Sequence, residues 1–252
     1  MMLTPQRKKH ILELLAAQGQ VLSKPLSETF QVSEDTIRRD LRELAAEGLL
    51  QRVHGGALPA SAAIATFAER KNLALSCKQR IARKAAELIM PGQVVLIDGG
   101  TTTGELVKCL PLTLRITVVT HSPGIALGLI EHPTIDVILL GGRLYKHSVV
   151  TLGATTLEAL AKVQADLCFL GATGVHHEAG LTTGDYEESC FKRAMVARAA
   201  ETVVLASSEK INSASPWAIG DISLVNTLVV SSDTDAALLT PFEAQGINVI
   251  RG

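Results

Sequence analysis

Charge of one sign, paired cysteines, long apolar runs and aromatic side chains are all scarce in this chain, and each scarcity removes a class of function. Lysine and arginine number 24 against 25 aspartates and glutamates, a net charge of −1, so bulk electrostatics draws it to no polyanion. Any nucleic-acid contact has to come from local arrangement. No stretch approaches the roughly 18 to 20 uncharged apolar residues of a bilayer span. The opening MMLTPQRKKHILELLAAQGQ sets charges where a signal peptide needs an unbroken apolar core. A soluble cytoplasmic protein without membrane attachment is expected. Cys77, Cys109, Cys168 and Cys190 lack the two-residue spacing of a zinc or redox pair and the density of a disulfide scaffold, which points to buried reduced thiols. Aromatics make up only 3% of the chain but hydrophobic residues 47%, so the core is aliphatic and disorder is excluded. At roughly 150 residues per domain, 252 residues suggest two domains, or one with an appendage.

Organisation follows from pattern. Ile11, Leu12, Leu14 and Leu15 give a first helix its apolar stripe, and a second short helix can start after Ser23 with Pro25 in its first turn. Ser33 is a good N-cap for a third, Glu34 and Asp35 suit its positive dipole end, and Ile37, Leu41, Leu44 and Ala45 share one face. Gly48 ends it. LLQRVHGGA then reads as a strand running into a Gly55-Gly56 turn, short enough for a β-wing. These features predict a small DNA-binding-sized unit over residues 1–57, a small-residue linker over 58–75, and an α/β domain over 76–252. In the last, helical periods near 76–90, 103–110, 122–131, 154–163, 186–200 and 234–244 alternate with QVVLID, RITVVT, IDVILL, DLCFLGA, TVVLAS, TLVVS and INVI. Such short, nearly continuous apolar runs suit strands covered on both faces, hence a largely parallel sheet wrapped by helices.

Two constellations carry chemistry. On the third helix Arg39 lies almost opposite the apolar stripe, with Asp35, Thr36, Arg42 and Glu43 beside it and Arg38 at the side. A recognition helix needs such a face, although a solvated amphipathic helix has one too. In VVLIDGGTTTGELV, Asp98 ends a strand, Gly99 and Gly100 admit close approach, and Thr101, Thr102 and Thr103 bring hydroxyls and amides to a helix N-terminus. That suits a phosphate, but no Lys follows the glycines as in a Walker A loop, and a structural βα turn reads the same way. Thr120, His121 and Ser122, then Gly141, Gly142 and Arg143, then Thr173 and Gly174 end later strands and would converge with it. Asp185, Glu188 and Lys192 start a helix, where sugar hydroxyls and phosphate are candidate partners and dipole-friendly charges the plain alternative. His176, His177 and Glu178 suggest a metal only weakly, because adjacent loop histidines are not expected to face one another. No metal is expected.

VSEDTIRRDLRELAAEGLLQRVHGGA resembles the N-terminal signature of the DeoR family of bacterial regulators of carbohydrate metabolism, and QRKKHILELLAAQG and the downstream segments resemble it in the same order. The resemblance implies an N-terminal winged helix-turn-helix on operator DNA, with Ser33, Thr36, Arg38, Arg39 and Arg42 at the recognition helix and Arg52 and His54 in the wing. It implies a C-terminal domain similar to ribose-5-phosphate isomerase, whose sugar-phosphate pocket draws on Lys78, Asp98, Gly99, Gly100, Thr101, Thr102, Thr103, Thr120, His121, Ser122, Gly142, Thr173, Gly174, Asp185, Glu188, Lys192 and Lys210. Three positions depart from the family pattern. Gln31 stands where Gly is frequent, Cys77 where an acidic residue is common, and Ser207 where D-x-S-K has its Asp. The expected function is a transcriptional repressor controlled by a phosphorylated sugar or polyol, without a cofactor, acting as a homodimer or homotetramer on double-stranded DNA. The competing class is a sugar-phosphate isomerase-like enzyme with an accessory DNA-binding domain, in which Asp98, Asp185 or Glu188 is a general base.

Overall fold

The computed structural model describes residues 3–61 and 66–252. Helix α1 (Thr4–Gln18) stops at Gly19, whose φ of 73° closes its C-terminus. After β1 (Val21–Leu22) and α2 (Ser23–Phe30), Gln31 turns the chain at φ 52° into α3 (Glu34–Ala46). Ser33 caps α3 by accepting from the Thr36 amide at 3.2 Å. Ile11, Leu15, Leu26, Ile37, Leu41 and Leu44 form one small core. Within it lies an ion pair that apolar periodicity does not reveal: Arg7 grips both oxygens of buried Asp40 at 2.5 and 3.1 Å. Strands β2 (Leu50–Val53) and β3 (Gly56–Pro59) form the wing, in a sheet ordered β1-β3-β2. The wing turn is His54-Gly55, not Gly55-Gly56. Gly56 belongs to β3, where a Cβ would meet the Val21 carbonyl oxygen at 2.0 Å, so close strand approach is what requires the glycine.

The segment expected to be a linker is largely structured. Residues 58–59 lie in β3, Ala60 bridges Ala214, and Ser61 is buried. Residues 62–65 of the expected linker fall outside the described residues. Thr66 and Glu69 then form a reciprocal capping box that starts α4 (Phe67–Asn72).

Next come α5 (Leu75–Ala86), β4 (Val94–Ile97), α6 (Thr101–Lys108), β5 (Thr117–Thr120), α7 (Pro123–Gly128) and β6 (Asp136–Leu139). A hairpin of β7 (Arg143–Tyr145) and β8 (Val150–Leu152) leads to α8 (Ala154–Leu160) and β9 (Ala165–Gly171). Strands β10 (Gly174–His176) and β11 (Gly180–Thr183), helix α9 (Tyr186–Val196), β12 (Ala199–Ala206), β13 (Trp217–Gly220), β14 (Thr227–Val230), α10 (Ala236–Glu243) and β15 (Asn248–Arg251) complete the chain. The seven apolar runs of the sequence are the seven strands of one sheet, ordered β15-β14-β12-β9-β4-β5-β6. Every pairing in it is parallel. Separate apolar cores fill its two faces. The helix expected over 186–200 stops at Val196, because Ala199 already pairs with Ala165. The small sheet β10-β11-β13 and the β7-β8 hairpin were not legible as strands, being only three or four residues long, with β10 and β11 rich in Gly, Thr and His.

Strand order fixes where a ligand fits. From central β4 the chain moves outward to β5 and β6, then returns to β9 on the other side and continues to β12, β14 and β15. The direction reverses between β4 and β9, and the helical connections there diverge to opposite faces. That leaves a crevice beyond the carboxyl ends of these two strands.

Candidate functional site

On the N-terminal unit, Arg38, Arg39, Arg42, Arg52 and His54 are all exposed. Arg38 is already engaged along its own helix, 3.0 Å from Glu34 and 3.5 Å from Asp35. Among the described residues no hydrogen bond or ion pair holds the side chain of Arg39, Arg42 or Arg52. Thr36 is half-buried, with its hydroxyl 3.0 Å from that of Ser33. Ser33 and Thr36 thus form the start of the helix, Arg39 and Arg42 lie on its outer face, and Arg52 stands in the wing.

In the α/β domain a cavity of about 200 Å³ opens at the β4/β9 crevice. Its floor is a fully buried polar network. Asp98 accepts from the Gly171 amide at 2.9 Å and from Lys192, and lies 3.0 Å from His121 Nε2. Burial works to raise the Asp98 pKa, but Lys192 and His121 outweigh it and hold the carboxyl at about 2. Lys192 also donates to the Gly171 carbonyl at 3.0 Å and lies 3.4 Å from Glu188; against the effect of burial, Asp98 and Glu188 raise its pKa. Glu188 in turn accepts from Ser148 at 3.2 Å and Thr183 at 3.5 Å.

The rim is less satisfied. Gly99, Gly100 and Thr101 to Thr103 line it. A Cβ at Gly99 would stand 2.1 Å from Val150 Cγ1, so the turn requires glycine. Thr103 donates back to the Gly100 carbonyl, whereas the buried Thr102 hydroxyl has no partner among the described residues. Arg70 of α4 is half-buried, with Nη2 donating to the His147 carbonyl at 3.1 Å and a buried Nε that has no partner among the described residues. Lys78 donates its ammonium to the Arg70 carbonyl. Burial lowers the pKa of Arg70 and of Lys78. Lys210 is pushed down to about 8, by burial first and then by Lys78, Arg70 and Lys192, with Glu209 acting the other way. The cavity therefore has two poles. Lys192 faces the two carboxylates Asp98 and Glu188, Glu209 is the carboxylate that acts most on Lys78 and Lys210, and Arg70 lies between them, under the influence of Glu188 and Asp98.

The structure redistributes the expected site. Lys78, Gly99, Gly100, Thr101, Thr102, Thr103, Thr173, Glu188, Lys192 and Lys210 do line the cavity. Asp98 and His121 lie under it, both with no exposed surface. Thr120 and Ser122 brace the chain behind Gly99, their hydroxyls donating to the Ile97 carbonyl at 2.6 Å and the Val149 carbonyl at 3.2 Å. Gly142 and Gly174 are packing positions, where a Cβ would meet Thr156 Oγ1 at 2.0 Å and the Ser213 carbonyl oxygen at 2.5 Å. Asp185 caps α9 through the Glu188 amide at 2.9 Å, which is the plain dipole reading. Arg70, Tyr145, His147, Ser148 and Glu209 also line the cavity and went unread. The one available signal was the Thr66-x-x-Glu69 capping box, which marks Arg70 as helical rather than linker.

His176, His177 and Glu178 cluster more closely than expected, with candidate ligand atoms within 4.8 Å and the two rings stacked at 4.4 Å. The turn is not simply solvated, since His176 is buried, and burial pushes its pKa down to about 4. Its Nδ1 accepts from the Glu178 and Ala179 amides at 3.0 and 3.2 Å. That commits the Nδ1 lone pair and leaves the proton on Nε2, so the ring is poorly suited to ligate a metal.

Residues 7–62 match the model of the DeoR-like helix-turn-helix domain, and residues 74–232 that of the DeoR C terminal sensor domain. The HTH-type transcriptional regulator GlpR of Haloferax volcanii is 34% identical, covering 100% of this chain and 99% of its own. The glycerol-3-phosphate regulon repressor of Escherichia coli is 33% identical over 93% of each chain. Among solved structures, ribose 5-phosphate isomerase A from Methanocaldococcus jannaschii aligns over 54% of each chain with 19% identity and a TM-score of 0.40. The relatives matched over nearly their whole length are regulators, which sets aside the enzyme alternative. Among the described residues no helix is long and apolar enough to cross a membrane.

Proposed function

The chain belongs to the DeoR family of DNA-binding transcriptional regulators, and from that premise we propose that it represses a carbohydrate-catabolism operon and is released from the operator when a phosphorylated sugar or polyol enters the β4/β9 cavity. The observation that carries this is the group of Arg70, Lys78 and Lys210, three cations lining the cavity with no carboxylate within ion-pairing distance among the described residues, beside the N-terminus of α6. A phosphate monoester carries close to two negative charges at neutral pH and matches that excess. It would also give the orphaned Thr102 hydroxyl and Arg70 Nε their missing partners, and a buried polar group without one is costly. The carboxylates Asp98 and Glu188 belong at the hydroxyl end, with Glu188 facing the cavity, because they would repel the phosphate.

Regulation requires the ligand to favour one arrangement of the DNA-binding units over another, since equal affinity for both shifts nothing. Arg70 supports such a route. It sits on α4, the first element after the inter-domain segment, so closing on an anion draws on that helix directly. Arg39, Arg42, Arg52 and His54 would meet the DNA, in a dimer or tetramer that supplies two half-sites. The test is a thermal-shift screen of phosphorylated sugars and polyols, followed by operator release with each hit. A hit that raises the melting temperature and releases the DNA is expected. A protein that no phosphorylated compound stabilises or releases would refute the effector assignment.

A further inference from the structure

We propose that Glu209 selects among phosphorylated ligands by accepting a ligand hydroxyl next to the phosphate, a role that rests on the phosphorylated-ligand reading above. Glu209 lies on the single 3-10 turn Ser208–Lys210 that follows β12, and it lines the cavity beside Lys210. One of its oxygens, Oε1, accepts from the fully buried Ser207 hydroxyl at 2.5 Å. That bond fixes the carboxylate. Among the described residues no lysine or arginine comes within ion-pairing distance of Glu209, even though Lys78 and Lys210 line the same cavity. Its charge reaches Lys78 and Lys210 only across a gap. A carboxylate tethered at one oxygen, with no cation in ion-pairing range among the described residues, leaves Oε2 available to accept from a ligand in the cavity that Glu209 lines.

What Oε2 can accept decides the ligand. A bare phosphate dianion offers little to it and is repelled by its charge. A phosphorylated polyol places its ester on the cations and a neighbouring hydroxyl on Oε2. A site built around such an acceptor discriminates strongly against a ligand lacking the donor. The sequence carries a matching exchange. Where the family resemblance puts Asp at 207 and Ser at 209, this chain has Ser207 and Glu209, so the carboxylate moves two residues along the turn and gains one methylene.

The experiment compares wild type with Glu209→Gln and Glu209→Asp, using inorganic phosphate and the screened phosphorylated sugars and polyols as probes. Affinity is read by calorimetry, and operator binding without ligand serves as the check on folding. Wild type should prefer its best hydroxylated phosphate over inorganic phosphate by at least tenfold. Glu209→Gln should bind inorganic phosphate at least about threefold more tightly, because a like charge has gone, and should lose most of the preference. Glu209→Asp should retain part of it. Unchanged or weaker phosphate binding in Glu209→Gln, or an unchanged preference, would overturn the proposal while leaving the ligand class standing. A wild type that binds no phosphorylated compound would overturn both.

Discussion

Arg38 and Arg39 are neighbours on α3, yet their surroundings separate them. Arg38 already pairs with Glu34 and Asp35, so its transfer to a phosphate exchanges one partner for another. Arg39 carries no such pair. Arg39→Ala is therefore expected to cost about 1 to 3 kcal/mol of operator affinity and to relax one base preference, while Arg38→Ala costs less and leaves preference intact. Operator titrations of both variants across base substitutions would check the contrast. In the cavity, Lys210 has its pKa lowered from 10.5 to about 8, so folding favours its neutral form. The penalty for keeping it charged is present below pH 8 and vanishes as pH rises toward 10.5. A bound phosphate removes that penalty by stabilising the ammonium. Phosphate affinity should accordingly decline as pH climbs past about 8, and Lys210→Met should weaken binding and flatten the decline, read by calorimetry at stepped pH. Asp98 runs the other way: its pKa falls from 3.8 to about 2, so its stabilisation is full above 3.8 and is lost as pH drops through 2. Much of the cavity was legible in residue types, because glycines and threonines after a strand mean a tight turn onto a helix. Whether a polar side chain faces the cavity or braces the turn from behind was not legible, as Thr120 and Thr102 show. That depends on which neighbouring strand lies alongside.

At the scale of elements, α2 and α3 meet through Gln31 at φ 52°, a conformation that costs a residue with a Cβ about 1 kcal/mol and glycine little. Gln31→Gly is expected to stabilise the winged helix by roughly 0.5 to 1 kcal/mol, read as a higher denaturant midpoint, since the helix-terminating geometry already suits glycine. Gly56→Ala should do the reverse by a larger margin, because the new methyl would collide with the Val21 carbonyl. The seven parallel strands could be read from sequence because burial on both faces leaves a run with almost no polar residue. The hairpins could not, because β10, β11 and β13 take their register from each other and carry little apolar pattern of their own. Helix α4 is the instructive case. It has six residues, none of them buried, so no apolar stripe announces it, and only its capping box does.

Across the whole molecule, the segment joining the two domains is held at both ends by residues that line the cavity. At its start, Ser61 donates its hydroxyl to the Thr173 carbonyl at 2.5 Å and its amide to the Ala214 carbonyl at 3.3 Å. The Ala214 amide donates back to Pro59, the last residue of the wing strand, at 3.3 Å. Thr173 is itself held by Ser215, at 2.7 Å, beside Ala214. At the far end, Lys78 and the His147 carbonyl hold Arg70. A ligand that shifts Thr173 therefore acts on the contact that holds Ser61 and the wing strand, and one that shifts Arg70 acts on α4. Coupling of this kind is a free energy shared by both sites, so weakening the connection must reduce the effect of ligand on DNA and of DNA on ligand by the same factor. Ser61→Ala removes the hydroxyl that joins the wing strand to the cavity wall while leaving every proposed ligand and DNA contact in place. Its affinity for operator alone and for ligand alone should stay within about threefold of wild type, given the modest net worth of one hydrogen bond. The ratio of operator affinities with and without ligand should fall, and the ratio of ligand affinities with and without operator should fall equally. Two ratios that both stay at the wild-type value would show that the signal leaves the cavity through Arg70 and α4 alone.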